Sequence, residues 1–396
     1  MIKPEQITYK FLIKKSWPII LANASVPLLG LIDTAVIGNV GTVEDLGAIA
    51  FGALIFSFVY WGFGFFRMST TGFVAQAKGA GDEVEVRTIL GRSLLMAVAF
   101  GLIIILLQWP IGLLSFYLLD GSESVETIAQ SYFSIRIWGA PATLVTFVLM
   151  GLLIGLGNSG QLLAVQLFLN SINMVLDIWF AGILDWGVAG IALGTVIAEW
   201  GAVIFAGVLV FRELRKRQSL GDNFWSMARI LDRAALLKTL SANFDIMIRT
   251  LLLVFSFAFF LNQSARFDDV VLAANHILLQ LISFAAFFLD GYAYVVESLV
   301  GTALGAKNRD RFDMAVKRST LLALATAILL GSWIWLFGDL AVILLTDIAA
   351  VRVSANSMLF LVGIYVFFSF AAFQLDGIFI GASFTAQMRN AAFLSL

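Results

Sequence analysis

The chain has 396 residues, 60% of them hydrophobic and 13% charged, with a formal net charge of −1. Water-soluble domains carry roughly 25% charged residues, so this composition excludes a soluble globular protein and describes an integral membrane protein with many spans. The balanced charge removes the electrostatic case for a nucleic-acid partner, and a chain without cysteine and with one histidine, His276, offers no thiolate or clustered-histidine metal site.

Charge-free runs predict the spans in order. Helix 1 is expected over 17–40, an apolar run from Trp17 to Val40 whose one charge is Asp33. At about 1.5 Å per residue it is long enough to cross a bilayer. A charge within such a span costs at least about 2.5 kcal/mol on insertion scales, so it points to an ion or substrate path. Pro18 and Pro27 in the same run each remove a backbone hydrogen bond and favour a bend. A bendable membrane helix with a buried carboxylate is the simplest proton- or cation-operated switch. The plainer alternative is an acid that only pairs with a neighbouring helix.

Helix 2 is expected at 46–66 and helix 3 at 93–118. The run 137–176 has no charge and is too long for one crossing. Gly155-Leu156-Gly157-Asn158-Ser159-Gly160 divides it into helices 4 and 5. Helix 6 is expected at 187–211, followed by a polar connector, and helices 7 to 10 at 239–262, 270–302, 315–345 and 353–382. Basic residues gather in alternate connections. They include Lys3, Lys10, Lys14 and Lys15 before helix 1, Arg67, Lys78, Arg87 and Arg92 between helices 2 and 3, and Lys307, Arg309, Arg311, Lys317 and Arg318 between helices 8 and 9. The other connections are neutral or acidic, with Asp120, Glu123 and Glu126. The positive-inside rule then puts the amino terminus in the cytoplasm.

A repeat runs at one constant offset, that from Leu46 to Leu272. Ala77, Gly79, Ala80, Arg92 and Ser93 match Ala303, Gly305, Ala306, Arg318 and Ser319, and Gly151, Ile154 and Gly155 match Gly377, Ile380 and Gly381. Both halves start on the same side, so the repeats are parallel and related by an axis along the membrane normal. The expected organisation is a first bundle at 1–214, a connector at 215–234 and a second bundle at 235–396. The second bundle shows four helices and the start of another, so the counterparts of helices 5 and 6 are expected to be largely missing.

Further carboxylates lie inside spans: Asp177, Glu199, Asp245, Asp290 and Asp376. Helical spacing puts Asn173 and Asp177 on one face of helix 5, and Thr195 and Glu199 on one face of helix 6. Asp33, Asn173, Asp177 and Thr195 together offer oxygens that can bind a proton or hold Na⁺. Interhelical hydrogen bonding alone is the plainer reading of the same residues. Asp245 precedes Arg249 by four positions and is expected to pair with it along helix 7. Asp290 and Asp376 have no base near them in sequence and are the second-half candidates.

Five stretches carry a family resemblance: Leu28–Asn39 (LLGLIDTAVIGN), Arg67–Ala80 (RMSTTGFVAQAKGA), Ser171–Phe180 (SINMVLDIWF), Leu289–Ser298 (LDGYAYVVES) and Leu375–Asn390 (LDGIFIGASFTAQMRN). The chain resembles the MATE (multidrug and toxic compound extrusion) family, in its DNA-damage-inducible branch. The resemblance implies an all-α membrane fold of two six-helix bundles and a monomer of the bacterial inner membrane. It also implies efflux of small hydrophobic, often cationic compounds driven by H⁺ or Na⁺ entry, with no enzymatic activity and no cofactor beyond that ion. It assigns the coupling site to Asp33, Asn173, Asp177 and Thr195, and the proton-linked bend to Pro18. One rival is a flippase for lipid-linked precursors, which shares this architecture and requires a strongly basic cavity; in sequence Arg249 is the one base deep in a span. The other is an intramembrane hydrolase, which needs a nucleophile and a base; a lone His276 without a Gly-x-Ser-x-Gly elbow argues against it.

Overall fold

The computed structural model describes residues 4–119, 121–218 and 224–395. Lys3, Asp120 and the middle of the connector fall outside them. Among the described residues, ten helices are long and apolar enough to cross a membrane. They are α1 (Tyr9–Val40), α2 (Val43–Ala80), α3 (Glu83–Leu106), α4 (Glu123–Gly155), α5 (Ser159–Ile183), α6 (Gly187–Lys216), α7 (Arg233–Ala265), α8 (Asp269–Gly305), α9 (Arg309–Leu345) and α10 (Ala349–Ala382). A short helix, Gln108–Leu118, follows α3, and α11 (Thr385–Ser395) follows α10. No strand occurs among the described residues.

Several helix starts are set by side-chain caps that satisfy first-turn N–H groups, each worth about 1 kcal/mol. Thr42 and Asp45 form a reciprocal capping box at α2. Asp82 caps α3, Ser122 caps α4, Asp232 caps α7 and Asn308 caps α9. Between the caps the backbone satisfies itself, as a lipid environment demands. Outward-facing side chains such as Leu106, Tyr117, Leu336 and Leu344 are apolar or aromatic and exposed.

Several spans extend beyond their charge-free runs: α1 begins at Tyr9 and α3 at Glu83, ahead of the expected 17 and 93, α3 ends at Leu106 rather than 118, and α2 and α4 extend furthest. α2 breaks at Gly62–Gly64, then resumes as Phe65–Ala80. This second segment, with Arg67 and Lys78, falls in the expected connection between helices 2 and 3. It is a buried helix instead: Ser69, Thr70, Thr71 and Ala75 are small enough to pack it against α4 and α8. α4 begins at Glu123 and includes Arg136, passing a tight turn at Ile137–Gly139 on its way to Gly155.

The repeat is visible in the packing. Gly151 sits against the carbonyl of Arg67 in the first half, as Gly377 sits against that of Ala293 in the second. Where the halves meet, α2 crosses α8. A Cβ on Gly79 would overlap the backbone of Thr302, and a Cβ on Gly305 would overlap that of Gln76. Under the repeat, Gly79 corresponds to Gly305 and Gln76 to Thr302, so the contact is self-complementary and the pseudo-two-fold axis passes through it.

Polar contacts between the halves gather at the end of the bundle that carries the basic residues. Gln76 Nε2 donates to Gly381 O at 2.9 Å, Ser298 Oγ to Gly155 O at 3.1 Å and Arg318 Nη1 to Ile7 O at 2.6 Å. Toward the other end, Gly30 and Gly38 of α1 face open space, and Phe255, Phe259 and Phe284 of α7 and α8 are exposed.

Candidate cation-coupling site

Four residues singled out in the sequence meet in the first half. Asn173 and Asp177 lie one helical turn apart on α5 and are both fully buried. Asn173 Nδ2 donates to Asp177 Oδ1 at 3.3 Å and to Thr195 Oγ1 of α6 at 3.0 Å. Thr195 passes its own proton to Ile191 O at 2.9 Å. The carboxyl of Asp33, on α1, comes within hydrogen-bonding reach of Asp177. Directly after Asp177, α5 widens into one π-helical turn, Ile178–Ile183, a device frequent at functional sites.

The set has more acceptors than donors. Asp33 Oδ1, Asp177 Oδ2 and Asn173 Oδ1 are buried with no hydrogen-bond partner among the described residues. Three such oxygens together fit a proton or a small hard cation, because each would otherwise bear the cost of an unmade hydrogen bond. No cluster of three or more His, Cys, Asp or Glu suited to a metal ion occurs among the described residues.

α1 runs unbroken through Pro18 and Pro27. Pro18 is half-buried and leaves Lys14 O without its helical donor. Beside Pro27, Asn170 Nδ2 of α5 donates to Ser25 O at 3.0 Å and to Ser25 Oγ at 2.9 Å, tying α1 to the helix that carries Asp177.

Glu199 has a different environment from the other four. Both of its oxygens take hydrogen-bonded contacts of 2.9 Å from Arg136 of α4, a bidentate pair. The Arg136 guanidinium also lies 5.2 Å from the Phe56 ring centroid and 5.7 Å from that of Tyr60. Glu199 is thus the counter-ion of a buried arginine that the sequence reading left outside helix 4. Arg136 also acts electrostatically on Asp33 and Asp177, giving the chamber one fixed positive charge.

The second half holds a longer chain of charges, and its pairing corrects the sequence reading. Asp245 does not pair with Arg249. Its Oδ1 takes Arg389 Nη1 of α11 at 2.6 Å and its Oδ2 takes Thr385 Oγ1 at 3.0 Å. Arg249 reaches across to Asp376 of α10, so Asp376 does have a base. Neighbouring helices offer each group an opposite charge, and these pairings prevail over the spacing along one helix. Arg249 is also not the one base deep in a span. Arg67 of α2 pairs with Glu297 of α8 at 3.1 Å and stacks 4.0 Å from the Tyr294 ring centroid. Asp290 lies in the field of Arg67, Arg249 and Asp376 and forms no ion pair among the described residues. Three arginines therefore face four carboxylates here: Glu297, Asp376, Asp245 and Asp290.

The MatE family model matches residues 18–179 and 245–396. The chain is 36% identical over 377 residues to DNA damage-inducible protein F of Escherichia coli K12, covering 94% of this chain and 80% of that protein. It is 26% identical over 378 residues to the probable multidrug resistance protein NorM of Photorhabdus laumondii, covering 92% of this chain and 80% of that one. Its fold superposes on a MATE protein crystallised in the bent conformation with a TM-score of 0.86 at 20% identity, over 98% and 84% of the two chains. A MOP superfamily transporter from Pyrococcus furiosus gives a TM-score of 0.85 at 19% identity, over 96% and 84%. A family match over both halves, with more than a third of residues shared with one full-length relative, makes this chain a member of the MatE (multidrug and toxic compound extrusion) family.

Proposed function

We propose that this protein is a cation-coupled antiporter that exports small hydrophobic, often cationic compounds, with H⁺ as the favoured coupling ion and Na⁺ as the alternative. The observation that carries the reading is the group of three donorless oxygens from Asp33, Asn173 and Asp177, completed by the Thr195 hydroxyl. In this scheme a cation or a proton neutralises the group and α1 closes toward α5 and α6, with Pro18 taking up the bend. A drug cation engages the opened site in the alternate state, so the two exchange. The NorM relatives named for multidrug resistance support a drug-like substrate. We place the basic end and the amino terminus in the cytoplasm of a bacterial inner membrane. Because the halves touch at the basic end, this arrangement is then the outward-open one. The unit is a monomer in contact with lipid, built as bundles 1–214 and 235–396.

The flippase alternative requires bases free to bind pyrophosphate. Arg67, Arg136 and Arg249 are each engaged by a carboxylate, which favours efflux. The deciding experiment is dye efflux from vesicles with a proton gradient and a sodium gradient imposed separately. Export driven by one of them supports the reading and identifies the ion; no gradient-driven export, with lipid-linked precursor translocation instead, overturns it.

A further inference from the structure

A second cavity lies at the basic end, between the halves and away from the coupling site. Its volume is about 450 Å³, and its wall includes Lys15 of α1, Lys78 of α2, Arg217 at the end of α6 and Arg311 of α9, with Glu83 of α3 as its carboxylate. Arg217 is already satisfied, meeting Glu213 at 3.1 Å and Glu83 at 3.6 Å. The other three cations are not. Lys15 Nζ donates to Gly157 O at 2.7 Å and Lys78 Nζ to Leu156 O at 2.6 Å, and each ammonium keeps two further donors. Lys78 feels the like charges of Arg217, Lys15 and Arg311.

Arg311 is the telling residue. It is 4% exposed, its Nε is buried without an acceptor, and its guanidinium forms no hydrogen bond or ion pair among the described residues. An Nε–H buried without an acceptor is costly, whereas the buried guanidinium groups of Arg67 and Arg136 are each paired with a carboxylate. α5 also begins on this wall, at Asn158 and Ser159, without a side-chain cap, so its first N–H groups add donors.

We propose that this cavity is an anion site for a phosphate group, held by Lys15, Lys78 and Arg311. The cavity is large enough for a phosphate ester, and guanidinium plus ammonium donors suit its oxygens. The group comes either from an anionic lipid headgroup, as basic pockets between cytoplasmic helix ends bind, or from free phosphate. Lys15 and Lys78 belong to the first half and Arg311 to the second. A bound phosphate therefore joins them and stabilises the arrangement in which the basic ends touch. This role is independent of the efflux reading.

The test is thermal unfolding of the purified 396-residue chain. One arm titrates inorganic phosphate in detergent against potassium chloride of equal ionic strength. The other compares phosphatidylcholine vesicles with and without phosphatidylglycerol. Phosphate is expected to raise the unfolding midpoint above the chloride control, and Arg311→Gln or Lys78→Gln to weaken its apparent affinity by at least roughly tenfold. A rise with phosphatidylglycerol alone, reduced by the same variants, assigns the lipid headgroup. Lys15→Gln, at a half-exposed position, provides the same reading should Arg311→Gln not fold. No rise over either control, or equal rises in wild type and variants, overturns the proposal.

Discussion

The carboxyl of Asp33 on α1 meets that of Asp177 on α5, with Asn173 bridging from Asp177 to Thr195 on α6. Three helices thus converge on one small polar group inside an apolar bundle. Asp33→Asn keeps the size and removes the exchangeable proton. It is expected to insert and fold normally while lowering gradient-driven dye efflux by at least about tenfold, since the proposed exchange depends on a charge that comes and goes. Asp177→Asn is expected to weaken efflux more than Asp245→Asn. Near-normal transport by well-expressed Asp33→Asn protein would remove α1 from the coupling mechanism.

Asp245 ties α7 to α11 through Arg389 and Thr385. Arg389→Gln leaves its carboxylate with only the Thr385 hydroxyl, and because the arginine is partly exposed the loss is expected at about 1–2 kcal/mol rather than the full value of a buried pair. A double-mutant cycle in detergent is expected to find coupling between Asp245 and Arg389 and none between Asp245 and Arg249. The reverse pattern would restore the intrahelical pair.

Much of this architecture is legible in the sequence because lipid imposes a simple rule: apolar runs long enough to cross become helices. The spacing of Asn173 and Asp177, and the repeat that matches Gly79 with Gly305, are equally local signals. Arg67 and Arg136 escape the same reading. Ending a span at its first charge treats every arginine as solvated, whereas both are buried against carboxylates supplied from other helices, Glu297 and Glu199. An unpaired Glu deep in a run was the available signal, since such an acid needs a base from somewhere. The partners of Asp245, Asp376 and Arg249 lie on different helices, and no spacing along one helix reveals them.

Orientation is open to a direct check. Ser226, in the connector, is expected on the cytoplasmic side, and Ser124, at the start of α4, on the periplasmic side. In sealed cells an impermeant maleimide is expected to label Ser124→Cys and to spare Ser226→Cys; the opposite labelling would invert the topology and with it the direction of opening.

The crossing of α2 and α8 depends on two residues without side chains. Gly79→Val and Gly305→Val each drive carbon into backbone on the facing helix. Each is expected to destabilise the protein by about 1–3 kcal/mol, and by similar amounts because the two positions are equivalent under the repeat. Gly38→Ala, where nothing lies within 4 Å, serves as the control and is expected to be neutral or slightly stabilising. Thermal midpoints of the three variants decide this; a neutral Gly79→Val would show that the halves are not held together at this contact.

Arg67 and Glu297 join the halves at the level where their contacts begin. The carboxylate is 1% exposed and the guanidinium 11%, so neither charge has ready access to water. Removing one partner leaves the other buried and uncompensated, a loss of about 3–5 kcal/mol in protein interiors. Replacing both removes the desolvation cost together with the attraction. Arg67→Met and Glu297→Gln are therefore each expected to lower the thermal midpoint strongly, and the double variant to recover much of the loss. The Tyr294 ring, stacked on the guanidinium at 4.0 Å, gives an internal check. Tyr294→Leu removes the cation–π contact, worth about 2 kcal/mol when desolvated, but leaves the ion pair, so its effect is expected to fall below that of either charge removal. Additive losses in the double variant would mean that the two charges act separately and that this pair does not hold the halves together.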